Sequence, residues 1–172
     1  HTTLISAISI MEDTSRAVSM DFKQAGDLIS IAGTTWNELG GSEYFRTWGL
    51  VGNNVPKVKP QQAKKLMDRL SLAMDKGLIK ACHDLNEGGI GIALAEMAFA
   101  GGLGATVYLD AVPLGEPMDR DDLILFSESN SRFLVEVAPE NRDEFEKVMG
   151  KTAFAAIGQV TAPETLEIHG VK

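Results

Sequence analysis

The sequence predicts an α+β fold in which one mixed sheet is covered by helices. Short apolar runs rich in β-branched residues are interleaved with longer runs of helical periodicity, giving roughly seven strands and four helices. The alternation is irregular, because neighbouring strands are expected at both ends of the chain. The 172 residues have the length of a single domain, and 44% of them are hydrophobic, which is enough to bury a core.

Composition argues against several function classes. The formal net charge is −8 and the sequence has no run of Lys and Arg, so neither nucleic acid nor an anionic membrane surface is an expected partner. No apolar run approaches the roughly 18 residues that a spanning helix needs, and the N-terminus lacks a secretion-signal pattern. The single cysteine, Cys82, excludes an internal disulfide. A reducing compartment, the cytoplasm, is therefore expected.

Local patterns place the elements of the first half. A first strand is predicted over 4–11 and a second over 28–32, because both runs are rich in Ile and Leu. Ser42 is expected to cap a short helix. Pro60 opens a longer helix at its first position, and Gly77 ends that helix.

A polar cluster followed by a helix organises the centre of the chain. The apolar run 77–82 is predicted to be a strand that leads into the polar residues 83–87, and Gly88-Gly89 then precede a helix that Gly101-Gly102 end. One face of this helix is apolar, at Ile90, Leu94, Met97 and Ala98. Two interpretations stay open: the free N–H groups at the helix start bind an anion, or Asn86 caps the helix and the glycines allow tight packing.

Two other stretches carry polar residues between apolar ones. Residues 34–45 repeat the central layout, with a polar loop, two glycines and a helix. Residues 127–132 interrupt the apolar run 123–137, which is read as strand-like on both sides. Each stretch either contacts a ligand or forms a turn whose Ser and Asn side chains bond their own backbone.

The remaining elements follow from the same patterns. A strand is predicted over 105–109 and a long loop over 110–122. Pro139 opens a helix that runs to about Met149. Strands over 153–160 and 165–169 end the chain.

No established catalytic pattern is present. The three histidines lie far apart, at positions 1, 83 and 169, and the sequence lacks a zinc-binding spacing, a phosphate-binding lysine loop and a nucleophile elbow. Asp84 and Glu87 could ligate Mg²⁺, although capping and solvation are the commoner roles of such carboxylates. Cys82 lies in an apolar run and is expected to be an inert, buried thiol.

Three motifs together resemble a known enzyme family. GDLISIAGTTWNELGGSEY, ACHDLNEGGIGIALAEMAFAGGLGA and LFSESNSRFLVEV are similar to the large subunit of formylglycinamidine ribonucleotide synthases, and specifically to the last domain of that two-fold-repeated chain. The resemblance runs from about Asp21 to about Val160. It implies the fold of the C-terminal domain of aminoimidazole ribonucleotide synthetase, with residues 1–23 as strand and linker from an ATP-binding domain and 24–172 as the domain itself.

The resemblance also implies an activity and a set of site residues. The family carries out an ATP-dependent amidation of formylglycinamide ribonucleotide in purine biosynthesis. Its substrate-binding copy implies substrate contacts at Glu128, Ser129 and Asn130 and a metal-assisting role for Asp84. Independently of the resemblance, the N–H groups of residues 86–89 are expected to line a cleft with residues 128–130, which adds Gly88 and Gly89 to the substrate-binding candidates. The substrate-binding copy tends to carry Gln where this chain has Asn130, and no catalytic residue is assigned here.

Cofactors and partners are implied in the same way. The whole enzyme uses ATP and Mg²⁺, and none is firmly expected on this domain alone. Its implied partners are a glutaminase subunit or domain, a small bridging subunit in the multi-subunit form, the upstream ATP-binding domain and a second copy in a homodimer. Two alternatives stay open: a non-catalytic packing or dimerisation module, and a domain of another ATP-using member such as selenophosphate synthetase or a hydrogenase maturation protein.

Overall fold

The computed structural model describes residues 4–171 and has a six-stranded sheet with five α-helices in that range. The strands are β1 (Leu28–Ala32), β2 (Ala81–Asp84), β3 (Gly104–Tyr108), β4 (Phe133–Val137), β5 (Phe154–Thr161) and β6 (Leu166–His169). The helices are α1 (Glu43–Thr47), α2 (Pro60–Asp75), α3 (Gly89–Gly101), α4 (Asp121–Phe126) and α5 (Arg142–Met149). Within this range no helix combines the length and apolar character that a membrane span requires.

The sheet is mixed, as the sequence predicted. Its strand order is β2-β4-β1-β5-β3-β6. Neighbouring strands pair antiparallel except β3 and β6, which are parallel. At the centre, Ile31 lies opposite Leu134 on β4 and Ala155 on β5. The predicted α+β class is therefore confirmed.

Helices cover both faces of the sheet. Alternating residues of a strand point to opposite faces, so Leu134 packs with Ile31 and the α3 residues, while Val135 packs with α2 and α5. Helix α3 buries one face, on which Ile90, Leu94 and Met97 are fully enclosed. A left-handed Gly102 ends it, as predicted.

The strand predicted over 4–11 is wrong. That segment has no regular structure, and its apolar side chains are exposed, at 90% for Leu4 and 97% for Ile8. A strand needs a neighbour for its backbone N–H and C=O groups, and no other described strand pairs with this segment. The packed domain begins before residue 24, where the sequence placed its start. Phe22 is buried and donates its N–H to the Met97 carbonyl oxygen at 3.1 Å.

Two further elements differ from the prediction. The run 123–126 belongs to helix α4, not to a strand, because the acidic Asp121 and Asp122 form a first helical turn and Ile124 packs into the core beside α3. The strand before the central helix is β2, later than predicted, and it includes His83 and Asp84 of the polar cluster. Short apolar runs do not distinguish a strand from a turn of helix.

Glu136 and Asp27 form a buried pair of carboxyl groups. Glu136 on β4 is fully buried and accepts the backbone N–H groups of Lys23 and Gln24, at 2.8 and 2.9 Å. Asp27 is also buried, and Lys80 Nζ lies 2.7 Å from its Oδ2. Burial raises the pKa of Glu136 to about 7. The hydrogen bond from the Lys23 N–H lowers this pKa, and the hydrogen bond with the Asp27 side chain raises it further.

We expect this pair to make stability depend on pH. Because the pKa of Glu136 is higher in the folded chain, its contribution is complete below about pH 4.5 and is lost as pH rises through about 7. The Glu136→Gln variant should lose this decline, on the order of 2 kcal/mol between pH 5 and 8. Urea unfolding across that pH range measures it.

The exposed Glu140→Gln variant is the control and should follow the wild-type pH curve. Parallel curves for wild type and Glu136→Gln would show that Glu136 is ionised throughout.

Candidate functional site

Three polar loops meet at one edge of the sheet. Strand β1 ends at Ala32, β2 ends at Asp84 and β4 begins at Phe133, and the register places both strand ends opposite Phe133. The loops 33–42, 85–88 and 127–132 therefore leave the sheet side by side. The antiparallel pairing brings together the polar stretches that the sequence kept far apart.

Arg132 lies at the centre of this loop cluster. Its side chain is 1% exposed, and its guanidinium donates to the Ser129 carbonyl oxygen at 2.9 Å, to the Ser127 carbonyl oxygen at 2.5 Å and to Thr35 Oγ1 at 2.9 Å. Burial lowers the pKa of Arg132 to about 10, and the nearby carboxylates of Glu38 and Glu128 oppose that shift. The guanidinium stays charged at neutral pH and ties two loops together.

Glu128 occupies the anion position at two helix starts. Its Oε1 accepts the N–H of Gly88, just before α3, at 2.9 Å and the N–H of Glu43, the first residue of α1, at 3.0 Å. A carboxylate there complements the positive end of each helix dipole. The predicted Asn86 cap is wrong, because Gly88 is the cap residue and no neighbouring side chain in sequence caps α3.

Backbone conformation and close packing require glycine at both positions before and at the start of α3. Gly88 and Gly89 have φ of 78° and 60°, which disfavour residues with a Cβ. A Cβ on Gly89 would lie 2.3 Å from the Ser127 carbonyl oxygen. The Gly89 N–H donates to the Asn86 carbonyl oxygen at 3.1 Å. The structure thus places Gly88-Gly89 beside Glu128.

Ser127 and Ser129 both hydrogen-bond the backbone of Trp36 in the 33–42 loop. Ser129 is 1% exposed, and its Oγ accepts the Trp36 N–H at 3.0 Å. Ser127 Oγ donates to the Trp36 carbonyl oxygen at 2.5 Å. Asn130, by contrast, is exposed and lies on the wall of a cavity beside α2. Of the three residues inferred from the resemblance, Asn130 is the one whose side chain faces open space.

Asp84 is the last residue of β2. Its side chain is 61% exposed and lies 3.4 Å from His83 Nδ1, whereas His83 Nε2 lies 2.7 Å from Glu96. Residues 4–171 contain no group of three or more His, Cys, Asp or Glu side chains arranged to hold a metal. A magnesium ion at Asp84 would need most of its ligands from elsewhere. Burial raises the pKa of Cys82 to about 12, consistent with the inert thiol that the sequence predicted.

Sequence reasoning missed the residues that organise the site. The sequence pattern places Arg132 among the polar residues 127–132 without indicating that it is buried. It gives no role to Glu38, which is 5% exposed. The sequence offers one indication of both: an Arg directly before a buried strand, and a Glu between Trp36 and the Gly-Gly pair. A charged residue placed against core strands usually requires a buried partner.

The chain matches a known domain family over most of its length. Residues 24–171 match the family described as AIR synthase related protein, C-terminal domain. Phosphoribosylformylglycinamidine synthase subunit PurL of Thermococcus sibiricus is 39% identical over 142 residues, covering 83% of this chain and 20% of that protein. The same subunit of Thermoanaerobacter pseudethanolicus is 35% identical, covering 99% of this chain and 23% of that protein. The chain thus spans about a fifth of these relatives.

Solved structures of related proteins also match this chain. The structure of T. maritima PurL complexed with FGAR matches with a TM-score of 0.80 and 26% identity, covering 92% of this chain and 28% of that one. The hydrogenase maturation protein HypE of E. coli matches with a TM-score of 0.63 at 21% identity, over 86% of this chain and 47% of that one. The second likeness concerns the fold alone.

Removing the central guanidinium should destabilise the domain. The Arg132→Leu variant leaves the oxygens of Ser127, Ser129 and Thr35 without their buried donor, so we expect a loss of about 3–5 kcal/mol in the free energy of unfolding. Arg132→Lys should lose less, because it keeps the charge but not the planar fork. Chemical denaturation measures both. Arg69→Leu, at an exposed position of α2, is the control and should change stability by less than about 0.5 kcal/mol.

Removing the Glu128 carboxylate should loosen both helix starts. We expect Glu128→Ala to cost about 1–3 kcal/mol, because two N–H groups lose a charged acceptor. Hydrogen exchange should accelerate at the Gly88 and Glu43 amides and not at amides in the middle of α3. Glu87→Ala, an exposed neighbour, serves as the control. Unchanged exchange at Gly88 would contradict the capping role.

Proposed function

The chain belongs to the family of AIR synthase related proteins, as their C-terminal domain, and from this we propose that it is the C-terminal domain of an ATP-dependent amidoligase. The proposed enzyme converts formylglycinamide ribonucleotide, ATP and glutamine-derived ammonia into formylglycinamidine ribonucleotide. The observation that carries the proposal is the identity of 35–39% to PurL subunits of two organisms, along 83% or more of this chain.

The proposed chemistry is phosphoryl activation of an amide. The γ-phosphoryl group of ATP is transferred to an amide oxygen of the substrate, and ADP leaves. Ammonia then attacks the activated carbon, inorganic phosphate departs and the amidine remains. Donors at helix starts and Mg²⁺ clamp the phosphoryl oxygens in such reactions. The ATP complex of T. maritima PurL supports nucleotide use by a related protein.

The role proposed for this domain is to shape the substrate side of the active site. Asn130 is the proposed direct contact, because its side chain is exposed at the edge of the loop cluster. Glu128 and Ser129 position that loop through their bonds to Gly88, Glu43 and Trp36. The Gly88-Gly89 turn fixes the neighbouring backbone.

Asp84 is proposed as an outer carboxylate near the metal. Its exposed position at the end of β2 suits an ion carried in with phosphate oxygens. Mg²⁺ ordinarily keeps several waters and few protein ligands when it is bound with phosphates. No step in the proposed mechanism depends on Asp84 alone.

The proposed assembly follows from the same family. An ATP-binding domain would precede residues 24–171, a glutaminase would supply ammonia, and a small bridging subunit would join them in the multi-subunit form. A T. maritima complex named PurLQS, whose matching chain is 25% identical, supports an assembly of this kind. A homodimer is also proposed, and the single cysteine fits an enzyme of the cytoplasm.

A second candidate function is a non-catalytic packing module. It is favoured by one observation: the Gly88 N–H that could have met a ligand is already bonded to Glu128. In that case the loop cluster would hold the enzyme's other domains without touching substrate. The likeness to HypE, at 21% identity, adds only that other enzymes share the fold.

We expect the 172-residue chain by itself to lack synthase activity, because holding ATP and substrate in one geometry needs the rest of the enzyme. Incubating the purified chain with ATP, substrate and ammonia should release no more phosphate than a control without protein. Turnover above that control would contradict a division of the active site between domains.

A chimera tests the function itself. The matching domain of T. maritima PurL is replaced by residues 24–171 and produced in a purine auxotroph that lacks its own synthase. We expect growth without purines, and no growth when the same chimera carries Arg132→Leu. If the chimera accumulates as a folded protein that binds ATP but supports no growth, the proposed function is wrong. Growth that survives Asn130→Ala at an unchanged rate would favour the packing module.

A further inference from the structure

The cavity beside α2, on whose wall Asn130 lies, is polar and borders the loop cluster. Its volume is about 300 Å³. The walls are the loop after β1, the segment before α2 with its first turns, residues 130–131 and residues 151–153. Asn130 is the only residue that it shares with the sites inferred above. The side chains of Gln62 and Thr152 add hydroxyl and amide groups to its wall.

Four lysines converge on this cavity, in a chain whose net charge is −8. They are Lys57, Lys59, Lys65 and Lys151. Sequence analysis found no basic cluster, because these residues come from three separate segments. Their like charges repel one another across a space of this size, and this repulsion would be relieved by an anion between them.

These four lysines form no ion pair, unlike several other lysines of the described residues. Elsewhere lysines pair with acids at 2.6–2.7 Å, as in Lys23–Asp21, Lys64–Asp68, Lys76–Glu144 and Lys80–Asp27. Across the described ranges, no carboxylate oxygen forms an ion pair with any of the four cavity lysines. Lys59 instead places its Nζ 3.3 Å from the centroid of the Trp36 ring.

The one acid on the wall does not neutralise them. Glu38 is 5% exposed, and its Oε1 accepts the Lys57 N–H at 3.2 Å. Its charge acts on Arg132, where it opposes the lowering of the guanidinium pKa by burial. Its Oε2 is buried and has no hydrogen-bond partner among the described residues. One carboxylate against four lysines leaves the wall of the cavity with a net positive charge.

The start of α2 adds to the positive electrostatic potential in the cavity. Pro60 occupies the first position, and no side chain caps the helix, whose cap residue is Lys59. The helix has 16 residues, and Gln62, Ala63, Lys65 and Leu66 of its first two turns line the cavity. The positive end of its dipole therefore adds to the lysine charges.

We propose that this cavity binds a small phosphorylated metabolite with free hydroxyl groups. Several ammonium groups suit a phosphate dianion, to which lysine binds as a point charge. The volume is at the lower end for ligand pockets, which favours a compound of sugar-phosphate size over a nucleotide. Asn130, Gln62 and Thr152 would bond its hydroxyls. This site goes beyond the amidoligase reaction and does not depend on it.

Calorimetric titration of the 172-residue chain at low salt tests the proposal, with glycerol 3-phosphate, inorganic phosphate and glycerol as probes. We expect glycerol 3-phosphate to bind with a Kd of about 1 mM or tighter, and glycerol not to bind. Adding 0.5 M NaCl should weaken binding, since the lysines are solvent-accessible. The Lys65→Glu/Lys151→Glu variant should weaken it at least tenfold.

The control is Arg69→Glu/Lys147→Glu, which changes the net charge equally at exposed positions off the cavity. It should change the Kd by less than threefold, and circular dichroism should show both double variants folded. Absence of saturable binding to the wild type would overturn the proposal. So would equal weakening in the two double variants, because the effect would then be one of net charge.

Discussion

The buried guanidinium of Arg132 is the interaction on which the loop cluster depends. Strands β1 and β2 end, and β4 begins, at the same edge of the sheet, so their connections leave backbone carbonyl groups in a space that water does not reach. Arg132 donates to two of these carbonyl oxygens and to Thr35. An unsatisfied buried acceptor is costly, and a buried cation requires compensating charge. Glu38 and Glu128 supply that charge.

Glu128 extends this arrangement to the two glycine-containing turns. One carboxylate oxygen satisfies N–H groups at the starts of α1 and α3. The anion that the Gly-Gly pattern predicted is thus provided by the chain itself, from a loop forty residues away. Helix α1 has five residues and α4 has six. Helices this short are not stable alone, so their position depends on contacts such as this one and on the stacking of Tyr44 against Phe126.

The sequence was sufficient where the determining contacts are local. Ser42 as a cap, Pro60 at a helix start and Gly102 at a helix end were predicted correctly, because each acts within one turn. It was insufficient where partners are distant. The 4–11 segment has strand composition but no strand to pair with, and the role of Arg132 depends on Thr35, 97 residues away. Periodicity carries no information on such pairs.

The same reasoning explains why the lysine cavity could not be predicted and why it differs from the α3 side of the loops. At the start of α3 the Glu128 carboxylate already accepts the Gly88 N–H, so an approaching anion meets negative charge. On the α2 side, the cavity wall carries four lysines and one carboxylate, that of Glu38. The two sides of the loop cluster therefore differ in charge. An anionic ligand would enter from the α2 side, where Asn130 is exposed, although the glycine motif of the sequence lies on the other.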